Sequence, residues 1–177
     1  MGDLMVSLSE YVSELRKGAR EDWTLLPFLV TVLTGFLVAI LDFVFLQSLE
    51  FQIFAFLGLF LLVIGGYLRN KARFALRRKA GFGSLAATAR VQIVENHQLV
   101  KDGVYKHIRH PLYLGETLRN LGIVTVFSSV YGVLLIAAAT GFLFFRIGNE
   151  ERMLIERFGE ECKEYQRTTK RIVPYIY

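Results

Sequence analysis

The sequence predicts an all-α, polytopic membrane helix bundle of about four transmembrane helices. The last two form a helical hairpin, and the bundle carries an N-terminal interfacial helix and a cytoplasmic C-terminal helix. Three observations lead there. Of 177 residues, 53% are hydrophobic and the mean hydropathy is positive, which is unusual for a soluble domain with this much surface to cover. The apolar residues come in uncharged blocks of near-spanning length rather than in stripes. The cations collect at one end of each block.

Residues 4–15 place Leu4, Leu8, Tyr11, Val12 and Leu15 on one helical face, with charged and hydroxyl residues opposite. Such a helix lies in the membrane interface or packs as a soluble helix on the rest of the protein. The start MGDLMVSLSEYVSELRKGAR has no continuous apolar core, so a cleaved signal peptide is not expected. Val6 stands where a myristoylation signal needs Ser or Thr. The first span is TLLPFLVTVLTGFLVAIL (24–41), with Pro27 in its first turn and Trp23 as an interfacial anchor. DFVFLQSLE connects it to the second span, FQIFAFLGLFLLVIGGYL (51–68), where Gly58, Gly65 and Gly66 suit close approach of a neighbouring helix.

A basic collar follows: Arg69, Lys71, Arg73, Arg77, Arg78 and Lys79. The positive-inside rule explains it and marks this side as cytoplasmic, with anionic lipid headgroups as secondary partners. A nucleic-acid role is disfavoured for a patch beside a span. Residues 80–110 are polar and glycine-punctuated, and VQIV (91–94) reads as a short extended piece. LYLGETLRNLGIVTVFSSV (from Leu112) and YGVLLIAAATGFLFFRIG (131–148) are the third and fourth apolar segments. The tail is charged and mostly helical in pattern. With four spans, all Lys and Arg apart from Arg119 fall on one side, so both termini and the middle loop are expected in the cytoplasm. The whole is expected to be one membrane-embedded domain: 1–22 an amphipathic helix, 23–68 two spans, and 69–177 a functional region with hairpin and tail.

Ionisable residues at membrane depth are functional candidates by default. Arg109 and His110 precede the third segment, Glu116 and Arg119 lie within it, and Arg146, Glu150 and Glu151 end the fourth. A tight hairpin brings the two ends to one cytoplasmic mouth, beside the loop with Gly103 and Tyr105. Pro111 suits a first helical turn, which puts His110 at the helix start and Tyr113 one turn on. Arg146 and Glu150, four apart, share a helix face. As an isolated surface pair they would contribute little; their convergence with the Arg-His-Pro turn makes them site candidates.

No His/Cys cluster has zinc spacing and no H-E-x-x-H occurs, so a metal site is not expected. The P-loop and the dinucleotide fingerprint are absent. His97 and His107 read as solvated loop residues, and Cys162, the only cysteine, as incidental in a polar tail.

The segments L-V-K-D-G-V-Y-K-H-I-R-H-P-L-Y-L-G (99–115), R-I-G-N-E-E-R-M-L-I-E-R-F-G-E-E-C-K-E-Y (146–165) and R-I-V-P (171–174) carry a resemblance. In that order and spacing they resemble the isoprenylcysteine carboxyl methyltransferase family and the related phospholipid methyltransferases. The likeness covers roughly the C-terminal half; the first two spans match only as hydrophobic helices. It implies a membrane-embedded methyltransferase using S-adenosyl-L-methionine at the cytoplasmic mouth. It further implies that the backbone of Leu99, Val100, Gly103, Val104 and Tyr105 lines the adenine pocket. Arg109, His110 and Tyr113 would contact the cofactor, and Glu150 would bind its ammonium or ribose. Arg146 would hold Glu150 or the cofactor carboxylate, with Glu151 and Tyr165 as lesser candidates. Arg119, grouped with Arg146 and Glu150 as catalytic, either steers an anionic lipid head or partners Glu116. The acceptor is lipophilic: a prenylated cysteine, an amino-phospholipid or a smaller apolar molecule. Glu116, directly after R-H-P-L-Y-L-G, is a departure that resembles the R-H-P-N-Y-x-G-E of NADPH-dependent membrane steroid-type reductases, although Leu112 stands where those have Asn. That reductase is the second reading, and a non-catalytic lipid-binding scaffold the third.

Overall fold

The computed structural model describes residues 23–46, 51–80 and 99–173. The expected N-terminal helix, VQIV and His97 lie outside them. Among the described residues the fold is all-helical: α1 (Leu25–Leu46), α2 (Phe51–Ala80), a single 3-10 turn (Gly103–Lys106), α3 (Pro111–Val126), α4 (Val130–Phe158) and α5 (Glu160–Thr168).

Three of these helices, α1, α2 and α4, are long and apolar enough to cross a membrane. Their outer faces carry large apolar side chains left bare, such as Phe56 at 72% and Leu134 at 61% exposure. A water-soluble monomer rarely shows so much contiguous apolar surface, whereas lipid tails cover it without cost. α3 has 16 residues, about 24 Å of helix, and so falls short of the hydrocarbon thickness of about 30 Å. The segment expected from Leu112 through Val130 is thus a shorter helix that stops at Val126. There the chain turns through Phe127, Ser128 (φ 55°) and Ser129, whose hydroxyl caps α4 by accepting from Gly132 N at 2.9 Å.

Three helices run past the ends the hydropathy suggested, and α1 reaches Leu46, into the expected connection. α2 continues through the basic collar to Ala80, so those cations sit on a helix rather than in a loop. α4 continues from its apolar stretch through Glu150 and Glu151 to Phe158. A single rigid rod therefore carries both the span and the acidic pair, because no proline or cap interrupts it.

Among the described residues the tightest contact is between α2 and α3. They are antiparallel, with Gly58 against Gly122 and Gly65 against Gly115. The two glycines of each helix are seven residues apart, so both face the same seam. A Cβ on Gly65 would lie 2.4 Å from Arg119 N and 2.8 Å from Gly115 O. The contact is backbone on backbone, and only glycine admits it. Gly66, which the sequence grouped with these, has nothing within 4 Å of a built Cβ and takes no part. The second packing layer joins α1 to α4 and the end of α3 through Phe28, Val32, Ala39, Val124, Ile136, Ala139 and Leu143. Trp23, exposed beside α1, has its ring 6.3 Å from Phe145.

The seam generates a paired test. Gly65→Ala forces the backbones apart, and overpacking of this kind costs about 1–3 kcal/mol. Gly66→Ala meets open space and gains helix propensity of roughly 0.5–1 kcal/mol. Thermal unfolding in detergent should therefore rank Gly65→Ala below the parent and Gly66→Ala at or above it. Equal melting temperatures for the two variants would refute the seam.

Candidate functional site

Three pieces of chain meet where α3 begins and α4 nears its end. The first is the loop 99–110. Val100 and Tyr105 are buried against Ala72 of α2, with Val104 and Leu112 packed on them. Gly103 sits at φ 61°, a left-handed conformation that glycine adopts without strain. Leu99 is half-buried.

The second piece is the tail after α5. Residues 169–171 run beside 107–110 and are stitched to them by the backbone: Arg109 N donates to Lys170 O at 2.8 Å, His110 N to Arg171 O at 3.0 Å, and Lys170 N to His107 O at 3.3 Å. Tyr165 donates to the carbonyl of Tyr105 at 2.7 Å, and Cys162 is buried beneath, its thiol pushed up by burial. The cysteine is thus part of the packing that seats the tail, not incidental to a solvated helix.

The third piece is α4, which presents Glu150 and Glu151 about 100° apart around its axis. Glu151 is 8% exposed and gathers three cations. Arg109 Nε approaches Oε1 at 2.9 Å, His110 Nε2 approaches Oε1 at 3.2 Å, and Arg171 Nε approaches Oε2 at 3.0 Å. Arg109 Nη1 also bonds the carbonyls of Gln166 (3.0 Å) and Thr169, where a cation complements the end of α5. Arg109 is turned inward as a staple between α4 and the end of α5.

Glu150 is placed differently. Its Oε2 is fully enclosed and has no hydrogen-bond partner among the described residues; His110 Nδ1 lies 3.5 Å away, too far and too poorly aligned to count. Around it stand the Tyr113 hydroxyl and the positive charge of Arg146. Arg146, 4% exposed, donates from Nε to the Tyr113 hydroxyl at 3.2 Å. The ring of Tyr113 lies 5.8 Å from that of His110.

His110 therefore faces a carboxylate with each ring nitrogen. Burial works against charging the imidazole, but the nearby carboxylates of Glu150 and Glu151 outweigh burial and hold its pKa above the usual value.

The sequence expectation brought Arg109, His110, Tyr113, Arg146, Glu150 and Glu151 to one place, and the structure brings them together, with the 99–105 loop alongside. Arg119 is apart: it bonds Glu116 and Asn120 on α3, roughly 9 Å along the axis from Tyr113. Sequence reasoning missed Arg171 and Arg69. Arg171 stands in the R-I-V-P segment, where nothing local in sequence points to its partner Glu151. Arg69 was absorbed into the basic collar, yet it pairs with Glu116. No group of three or more His, Cys, Asp or Glu among the described residues is arranged to hold a metal ion.

A family model described as the isoprenylcysteine carboxyl methyltransferase family matches residues 58–156. Among curated proteins, the chain is similar to protein-S-isoprenylcysteine O-methyltransferase of Schizosaccharomyces pombe, 29% identical over 133 residues, 75% of this chain and 54% of the relative. To the protein of that name in Saccharomyces cerevisiae it is 32% identical over 134 residues, 75% and 54% respectively. To that in Homo sapiens it is 30% identical over 154 residues, 85% and 52%. The chain spans about half the length of these relatives.

A raised His110 pKa sets the sign of a pH effect. The stabilisation is fully present below the unfolded value of about 6.5 and is lost as pH rises through the higher folded value. The melting temperature in detergent should fall as pH is raised from about 6 to about 9, and His110→Gln should flatten that slope. A parent protein whose stability is level over this window would show that His110 is not held charged.

Proposed function

The chain belongs to the isoprenylcysteine carboxyl methyltransferase family, and we propose that it transfers a methyl group from S-adenosyl-L-methionine to a lipophilic acceptor, a prenylcysteine carboxylate or a phospholipid-like head. The observation that carries the reading is Glu150: a buried carboxylate oxygen with no hydrogen-bond partner among the described residues, 3.5 Å from His110 Nδ1 and beside a tyrosine hydroxyl and a buried arginine. A buried acceptor left unsatisfied costs about 1–3 kcal/mol, so the arrangement favours a ligand that brings donors. The ammonium or ribose hydroxyls of the cofactor fit Glu150, and its carboxylate fits Arg146.

When bound, the cofactor supplies a methyl group already activated by the sulfonium. The protein's task is then positioning and exclusion of water. Glu150, Arg146 and Tyr113 hold the donor's polar end. Val100, Val104 and Tyr105 pack their side chains with Ala72 and Leu112, so the loop wall of Leu99, Val100, Gly103, Val104 and Tyr105 offers backbone groups to an adenine. Arg109, His110 and Glu151 hold that wall, the tail and α4 in register. Arg119 stands on the acceptor side.

In this reading α3 crosses as a fourth, short span and pairs with α4 as a hairpin. Both termini and the cofactor site face the cytoplasm, as the confinement of cations to one side supports. Membrane lipids and a prenylated or small lipophilic acceptor are the partners; no metal or nucleic acid enters the scheme. The NADPH reductase reading rested on Glu116, and that carboxylate is engaged by Arg69 and Arg119.

Calorimetry on the detergent-purified protein should register S-adenosylhomocysteine and not NADPH, and Glu150→Ala should remove the signal. Normal binding by Glu150→Ala would overturn the assignment of the site. Binding of NADPH alone would restore the reductase, and binding of neither ligand would favour the scaffold.

A further inference from the structure

On the α2/α3 seam, one turn from the candidate mouth, lies a charge cluster in which the described residues supply more positive than negative charge. Glu116 accepts from Arg69 Nε with one oxygen and from Arg119 Nη2 with the other. Asn120, buried, approaches the same carboxylate at 3.4 Å and receives Arg119 Nη2 at 3.1 Å. Two guanidiniums thus share one carboxylate, which leaves one positive charge in excess. Arg119 Nε is enclosed and has no hydrogen-bond partner among the described residues. The side chains of Arg69 and Arg119 are 23% and 30% exposed, so the cluster is sheltered yet reachable from the bundle surface.

The backbone fixes this arrangement. Gly115 meets Arg69 N, and Gly65 meets Arg119 N, so the two arginines bracket Glu116 from opposite directions along antiparallel helices. A cation among apolar helices is costly unless it is compensated, and Glu116 compensates only one of two. Glu116 is three residues past Tyr113, about 4.5 Å along the helix, so an anion bound here would sit close to the donor end of the site.

We infer that Arg69, Glu116 and Arg119 form a binding site for the anionic headgroup of a membrane amphiphile, a carboxylate or a phosphate. The partly exposed guanidiniums of Arg69 and Arg119 are the donors that meet it, and Glu116 orients both. The headgroup has two sources: the methyl acceptor itself, which rests on the methyltransferase reading, or a resident anionic lipid, which does not.

The test uses the full chain in phosphatidylcholine nanodiscs and two probe pairs: N-acetyl-S-farnesylcysteine against its carboxamide, and phosphatidylglycerol against added phosphatidylcholine. The anionic member of at least one pair should bind roughly tenfold more tightly or better. Arg119→Gln and Arg69→Gln should each bring that preference close to unity while S-adenosylhomocysteine affinity is kept. Glu116→Gln should move it the other way, by removing the competing carboxylate, and Arg119→Lys should retain part of it. A preference confined to the cysteine pair assigns the site to the acceptor, and one confined to the lipid pair assigns it to a resident lipid. The inference fails if the parent shows neither preference, or if both preferences survive in both glutamine variants. If the parent shows the anion preference but no S-adenosylhomocysteine binding, the methyltransferase reading falls and the site stands.

Discussion

A carboxylate as enclosed as Glu151 is stable only with cations around it, and this one draws Arg109 from the loop, His110 from the start of α3 and Arg171 from the tail. Those three cations come from two separate stretches of chain, residues 109–110 and the tail at 171, so one buried charge holds both stretches against α4. Removing one partner from such a cluster typically costs about 3–5 kcal/mol, because the remaining charges stay buried without compensation. Much else follows from it. His110 is placed between two carboxylates that raise its pKa. Arg109 is turned into the protein and closes the end of α5. The tail lies in register on residues 107–110.

The same hub decides what its neighbour does. Consecutive residues on a helix point about 100° apart, so with Glu151 committed to the tail, Glu150 is aimed at Tyr113 and Arg146. Two adjacent glutamates thus take opposite tasks, one structural and saturated, the other retaining an unmet acceptor. The glycine seam between α2 and α3 supplies the floor for this arrangement. It fixes the height of α3 against α2, and with it the level at which Pro111 starts the helix and at which Arg69 meets Glu116.

Much of this was legible in the sequence because it rests on local rules. The long apolar blocks gave α1, α2 and α4. Pro111 after Arg109 and His110 marked a helix start, and Glu150 and Glu151 at the end of an apolar run marked a polar mouth. What was hidden depends on partners distant in sequence. Glu151 looks equivalent to Glu150 until Arg171 is placed beside it, and nothing local says that Arg109 turns inward. Arg69 reads as one more cation of the collar, because its pairing with Glu116 requires the antiparallel register that Gly58, Gly65, Gly115 and Gly122 set. The heptad spacing within each glycine pair was visible, but which glycines face one another was not. Helix ends were misjudged for a related reason: hydropathy records where lipid stops, whereas α2 and α4 continue as helices into water.

The division of labour between the two glutamates is the claim on which the site stands, and an experimental structure of the protein with S-adenosylhomocysteine bound tests it most directly. The account predicts Glu150 Oε2 within hydrogen-bond distance of the ligand, with Glu151 still held by Arg109, His110 and Arg171. A ligand contacted by Glu151, with Arg171 released and Glu150 turned away, would contradict it.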